Sequence, residues 1–189
     1  MRLALFGGAF DPIHNAHLRI AKEAVRQWNL DRVLFVPSAR PPHKQLQASY
    51  EDRLRMVELA LENEPCLEAS RLEAGPARSF SIDTIEKLKP ELAADDRLFF
   101  LIGADAFAEI RTWKRWQDVL SAVEFIVVSR RGHRYEIPEE ARVHRLDTLD
   151  LPVSSSEIRS RLAAGDDRVD VPAPVLDYIR KQNLYSRRA

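Results

Sequence analysis

Apolar residues in this chain follow two alternating patterns. Short apolar runs read as buried strands at 3–6, 32–36 (closed by Pro37), 66–69, 97–102, 125–128 and 143–146. Between them, apolar positions recur at helical spacing. Leu18, Ala21, Val25 and Trp28 predict one helix, and Leu54, Val57 and Leu61 a second. Residues 78–84 lead into a third helix through Leu88, stopped near Pro90, and 113–122 predicts another. Ser154 opens a helix that ends at Gly165, and Pro172 and Pro174 start a terminal helix with Val175, Tyr178 and Ile179 facing inward. Ser49 with Asp52, and Ser154 with Glu157, are spaced as capping pairs. The run Leu-Phe-Phe-Leu-Ile within 97–102 belongs at a sheet centre, where both faces are covered.

Strands alternating with helices predict an α/β fold. The expected architecture is Rossmann-like and doubly wound, with a mostly parallel sheet, helices on both faces and C-terminal helices. No internal repeat, low-complexity segment or long linker interrupts the pattern, so 1–189 is expected to form a single domain. Ligands of such folds bind beyond the carboxyl ends of the strands, at the switch point. Three polar strings fall at strand ends or helix starts: 7–17, 103–105 and 154–159. Their convergence predicts one nucleotide site.

Charge narrows the partners. Twenty-nine basic and 29 acidic residues give a net charge of zero. A general nucleic-acid binder would carry a basic excess, so no nucleic-acid partner is expected. No apolar run reaches membrane-spanning length, and no signal-peptide pattern opens the chain, so no membrane partner is expected. The single cysteine, Cys66, excludes an internal disulfide and fits a cytoplasmic setting, where it reads as a small buried hydrophobe. The sequence carries no signal of oligomeric state.

The densest candidate chemistry is Gly7-Gly8-Ala9-Phe10-Asp11-Pro12-Ile13-His14-Asn15-Ala16-His17. Gly7 and Gly8 allow close backbone approach to a ligand. Asp11-Pro12 is a turn signal. His14 and His17, three apart at a helix start, share one side. Two imidazoles beside a helix N-terminus suit a phosphate. Alone, they also fit a surface pair, or a zinc site with Asp11 as the nearest further ligand. The string lacks the third glycine of the dinucleotide fingerprint. Elsewhere, the residues by themselves leave two readings open. Lys44 sits in a proline-stiffened loop and either meets a phosphate or is solvated. Asp105 either reaches ribose hydroxyls or caps a helix from Ala106 onward. Ser155 and Arg159 share a helix face and would hold a polyphosphate; the other reading is that Ser154 is only a cap and Arg159 a surface residue.

The string from Gly7 to His17 resembles the His-x-Gly-His signature of the nucleotidyltransferase superfamily, with Ala16 where that family has Gly. The fuller sequence resembles the bacterial nicotinate mononucleotide adenylyltransferase family over nearly its whole length. Pro41-Pro42-His43-Lys44 and Ile102-Gly103-Ala104-Asp105 match that family's strings. Ser79-Phe80-Ser81-Ile82-Asp83-Thr84 is similar to Ser-Tyr-Thr-x-Asp-Thr, and residues 153–159 to Ile-Ser-Ser-Thr-x-x-Arg.

The resemblance implies adenylyl transfer from ATP to nicotinate mononucleotide, giving deamido-NAD and pyrophosphate. It implies His14 and His17 as catalytic residues. Gly7, Gly8, Phe10, His14, His17, Gly103, Asp105, Ser154, Ser155 and Arg159 would contact ATP. Lys44, Ser81, Thr84 and Trp113 would contact the mononucleotide, Trp113 by stacking on its pyridine while Trp116 packs inside. Mg²⁺ would ride on the ATP phosphates, with no metal site built from the chain. Alternatives are another acceptor, such as nicotinamide mononucleotide or phosphopantetheine, a non-catalytic nucleotide binder, and a metal-dependent hydrolase using the histidine pair.

Overall fold

The structure is a computed structural model, and it describes residues 1–42, 45–130, 134–148 and 153–186. Strands β1 (Arg2–Gly8), β2 (Arg32–Pro37), β3 (Leu67–Ala69), β4 (Arg97–Gly103), β5 (Glu124–Arg130) and β6 (Val143–Thr148) form one sheet. Its order is β3-β2-β1-β4-β5-β6, and every neighbouring pair is parallel. The strand direction of progress reverses between β1 and β4, so the switch-point crevice lies at their carboxyl ends. Helices α1 (Asn15–Trp28), α2 (Tyr50–Leu61), α3 (Ser81–Leu88), α4 (Ala104–Ala108), α5 (Trp116–Ala122), α6 (Ser155–Ala163) and α7 (Ala173–Lys181) connect and cover the strands. The doubly wound expectation holds.

Strand periodicity divides the core. Ala4, Phe6, Val33, Phe35, Phe99, Leu101 and Ile126 face one side, against α1, α2, α6 and α7. Leu3, Leu5, Leu34, Leu98, Phe100, Phe125 and Val127 face the other, against α3, α4 and α5. On α7, Val175 and Ile179 are buried as expected, and the Tyr178 hydroxyl donates to Asp52 Oδ1 at 2.9 Å. Both capping serines act: Ser49 Oγ accepts the Asp52 N–H at 3.1 Å, and Ser154 Oγ accepts the Glu157 N–H at 3.2 Å.

Three boundaries differ from the sequence reading. The helix expected over 113–122 begins only at Trp116, because Arg115 adopts a left-handed backbone (φ 52°) that breaks it. Trp113 lies outside it, closing a 3₁₀ turn over Ile110–Thr112. The short helix α4 follows β4 directly with Gly103 as its N-cap, so Asp105 is inside the helix and is not its cap. Finally, Gly7 and Gly8 belong to β1, in register with Val36 and Pro37, and the connecting loop starts at Ala9.

The reason for Gly8 is internal packing. A Cβ there would meet the Phe10 ring at 3.0–3.2 Å. That ring cannot retreat easily. Phe10 is 2% exposed, and its ring lies 5.6 Å from Phe6, 5.5 Å from Phe35 and 5.1 Å from His17, centroid to centroid. At Gly7 the nearest atom to a Cβ would be Phe100 Cζ at 3.6 Å, an ordinary contact. Gly8→Ala is therefore expected to cost about 1–3 kcal/mol by overpacking. For a chain of this size that lowers Tm by roughly 2–12 °C. Gly7→Ala should shift it far less. Equal thermal shifts for the two variants, measured by calorimetry, would contradict this account.

Candidate active site

The crevice contains two cavities that share Ala9 in their walls. The larger, about 960 Å³, lies among the start of α1, the β4–α4 junction and the start of α6. The smaller, about 300 Å³, lies between the ends of β1 and β4 and the start of α3.

His14 and His17 flank the larger cavity. His14 is the N-cap of α1 and His17 its third residue, and their rings stack with centroids 3.7 Å apart at 30°. The His14 N–H donates to His17 Nδ1 at 3.2 Å. That bond puts the hydrogen of a neutral His17 on Nε2, making Nε2 the ring's donor. His14 is 6% exposed, and its Nδ1 has no hydrogen-bond partner among the described residues. Burial, opposed by the Asp170 carboxylate and reinforced by the Arg19 guanidinium, lowers the His14 imidazole to about 4. Asp170 also holds the helix start, accepting the Asn15 N–H at 3.1 Å and Asn15 Nδ2 at 2.7 Å. Ala16 is buried within the first turn of α1, whose backbone there requires no glycine.

The loop before α1 is held from several directions. The buried Asp11 carboxylate accepts the Gln47 N–H at 2.7 Å, the Ala48 N–H at 3.1 Å and the Tyr185 hydroxyl at 2.6 Å. Arg53, also buried, donates to the Ala9 carbonyl at 2.6 Å. Two groups expected to reach ATP also bond to this loop. Arg159 Nη1 donates to the Asp11 carbonyl at 2.8 Å, and Ser155 Oγ to the Pro12 carbonyl at 3.0 Å. Both residues still line the larger cavity, and Arg159 Nε is buried without a partner among the described residues. With its carboxylate engaged by three donors, Asp11 is a structural residue and makes a poor zinc ligand.

Ser154, Ser155, Arg159, Gly103, Asp105, His14 and His17 converge on the larger cavity as expected. Gly7 and Gly8 line the smaller one instead. Phe10 lines neither, because its ring is in the core. In the smaller cavity Trp113 stands edge-on to Phe100, centroids 5.9 Å apart, with Ser81 and Thr84 nearby. Thr84 is buried at the cavity wall, and its hydroxyl donates to Glu73 Oε1 at 2.7 Å, which leaves its oxygen lone pairs as acceptors. Lys44 lies outside the described residues.

Sequence reasoning missed Tyr185, Arg53, Glu73 and Lys114. Glu73 lines the smaller cavity, and its Oε2 is buried without a partner among the described residues. Lys114 bridges the same cavity's rim, 2.8 Å from Asp83 Oδ1 and 4.9 Å above the Phe80 ring. The one signal that could have pointed to Lys114 is its place inside the Thr-Trp-Lys-Arg-Trp string; nothing local marked the others.

The cytidylyltransferase-like family model matches residues 5–161. A protein of Solibacter usitatus named "probable nicotinate-nucleotide adenylyltransferase" is 59% identical over 188 residues, covering 98% of this chain and 100% of that one. One of the same name from Thermus thermophilus is 42% identical over 187 residues, covering 98% and 100%. The nicotinic acid mononucleotide adenylyltransferase of Plasmodium falciparum, complexed with NaAD, superposes with a TM-score of 0.79 at 22% identity, covering 97% of each chain, which is a likeness of fold.

Burial of neutral His14 has a consequence for stability. Unfolded, its pKa is about 6.5; folded, it is about 4. As pH falls through this window, the unfolded chain takes up a proton that the folded chain resists. Stability present above about pH 6.5 is therefore lost toward pH 4, by about 3 kcal/mol at most from this group. His14→Gln should lack that component, so its urea-unfolding free energy should fall less steeply between these pH values. Parallel curves for wild type and variant would mean that folded His14 protonates normally.

Proposed function

We propose that this chain, which belongs to the cytidylyltransferase-like family and groups with its nicotinate-nucleotide adenylyltransferases, transfers the adenylyl group of ATP to nicotinate mononucleotide. The products are nicotinate adenine dinucleotide (deamido-NAD) and pyrophosphate. The observation that carries this reading is the pair of cavities meeting at Ala9, one bordered by stacked imidazoles and a helix start, the other by Trp113. ATP occupies the larger and the mononucleotide the smaller, which brings the two phosphates together at their junction.

A phosphate oxygen of the mononucleotide bonds to the α-phosphorus, and the bond from that phosphorus to the β-bridging oxygen breaks. Pyrophosphate leaves with the electron pair. The nucleophile is already anionic and needs no strong base. The chain's tasks are alignment and charge stabilisation. His17 Nε2–H serves the α-phosphate and His14 lies beside it. Arg159 and the first-turn N–H groups of α6 hold the outer phosphates, while Asp105 takes the ribose hydroxyls. Trp113 stacks on the pyridine. Its carboxylate meets the first-turn N–H groups of α3, which has Phe80 at its N-cap and no side-chain cap.

Nucleotidyltransferases that use ATP generally require a divalent ion. Among the described residues no group of three His, Cys, Asp or Glu side chains is arranged to hold one. The N–H and cationic donors of the larger cavity suit a polyphosphate that brings its own Mg²⁺, which would share the phosphate charge. No described helix is long and apolar enough to cross a membrane. A cytoplasmic setting is the reading that the single cysteine supports.

One observation favours a second acceptor. The Glu73 carboxylate in the smaller cavity opposes a carboxylate ligand and would accept hydrogen bonds from an amide. Lys114 and the α3 N–H groups act in the opposite sense. With these opposed, the acid mononucleotide should exceed the amide in kcat/KM by on the order of tenfold or more, about 1.4 kcal/mol. Pyrophosphate release measured with ATP, Mg²⁺ and each acceptor tests this. Equal use of both would make Glu73 dominant, and release without any acceptor would indicate a hydrolase.

His17→Ala should lower kcat by on the order of 10²–10³, as for loss of a donor to developing charge, with little change in ATP affinity. Normal turnover by the folded variant would remove His17 from the chemistry.

A further inference from the structure

We propose that Tyr185, near the end of the chain, is a positioning residue for the nucleotide side of the reaction and acts through Asp11. The inference rests on the reading that ATP occupies the larger cavity. Tyr185 is 9% exposed and packs in the core beside α7. Left-handed backbone at Asn183 (φ 54°) and Tyr185 (φ 61°) turns the chain back after that helix. The Leu184 N–H closes the turn on the Ile179 carbonyl at 3.0 Å. This brings the Tyr185 hydroxyl 2.6 Å from Asp11 Oδ1, across 174 residues of sequence. Burial, and then the neighbouring Asp11 carboxylate, push this phenol well above its ordinary value, so it remains a donor at any working pH.

Asp11 passes the constraint to two groups at the ATP side. Its own carbonyl receives Arg159 Nη1 at 2.8 Å, and the next carbonyl, of Pro12, receives Ser155 Oγ at 3.0 Å. Its carboxylate also holds the loop at Gln47 and Ala48. Without the phenol, Oδ1 keeps only the longer bond from the Ala48 N–H, at 3.1 Å. A buried carboxylate short of donors reorients or admits water. The Asp11-Pro12 turn then loosens, and Arg159 and Ser155 shift with it. The smaller cavity has none of these groups in its wall. A loss confined to ATP therefore distinguishes positioning from general weakening.

The test is Tyr185→Phe, which keeps the ring and removes the hydroxyl. Steady-state constants for ATP and nicotinate mononucleotide are measured, together with the dissociation constant of a non-hydrolysable ATP analogue and Tm. The KM for ATP and the analogue's dissociation constant should each rise by on the order of tenfold. The KM for the mononucleotide should change by less than about twofold, on the same coupling argument. Asp11→Asn, which weakens the same contact from the other side, should show the same split. Unchanged analogue binding in a folded Tyr185→Phe overturns the proposal, as does a parallel rise in both KM values. If wild type binds the analogue but does not use the mononucleotide, the proposed reaction fails, and analogue binding by the two variants still decides the role of Tyr185. If wild type does not bind the analogue, both fall.

Discussion

The buried carboxylate of Asp11 is the constraint on which the rest of the site depends. A carboxyl group at 2% exposure is costly to bury unless hydrogen-bond donors meet its oxygens. Here the donors come from distant stretches: the 47–48 backbone and Tyr185. Those bonds also fix where residues 47–48 and Tyr185 lie. The adjoining carbonyls at Ala9, Asp11 and Pro12 then receive Arg53, Arg159 and Ser155. One short loop is thus bonded to α2, α6 and the terminal segment. It lies between β1 and α1, at the switch point where the topology opens a crevice.

That loop also explains the division of the crevice. Ala9 contributes to both cavities, and Phe10 turns inward with a left-handed backbone (φ 47°), wedging its ring beneath Gly8. The buried ring lets the chain pass from strand to helix without filling the space between the cavities. Gly8 is needed so that the ring can lie there. The glycine's role is therefore one step removed from any ligand, and the open junction at Ala9 follows from packing under it.

Much of the fold was legible because its physics is local and periodic. Short apolar runs marked the strands, and serine caps marked the starts of α2 and α6. The convergence of 7–17, 103–105 and 154–159 was legible from topology. The misreadings share a cause. Glycines in β1 break an apolar run, so sequence ends the strand early, although their pairing with Val36 and Pro37 continues it. Arg115 has no intrinsic preference for the left-handed region, so the break before α5 left no mark. Ser155, Arg159 and Thr84 also bond to Pro12, Asp11 and Glu73, contacts that appear only after folding and stand beside the ligand roles expected of these residues. Tyr185 is the extreme case, since its partner lies at the opposite end of the chain.

The histidine pair limits how the larger cavity can balance charge. Two imidazolium rings 3.7 Å apart would repel by about 4 kcal/mol even at an effective dielectric of about 20. Burial already holds His14 neutral at physiological pH. The pair therefore supplies directed donors and at most one charge. Among the described residues lining this cavity, Arg159 is the one permanently cationic side chain, and Asp11 and Asp105 are acidic. A nucleoside triphosphate cannot be neutralised by that set. Under the proposed reaction, partial positive charge at the starts of α1 and α6, and a cation bound with the phosphates, would supply the difference. Neutral imidazoles are then an advantage, since they do not compete with such a cation for the phosphate oxygens by charge. In the proposed reaction they would add hydrogen bonds where negative charge develops, which is how a site with little net charge can still discriminate in favour of the transition state.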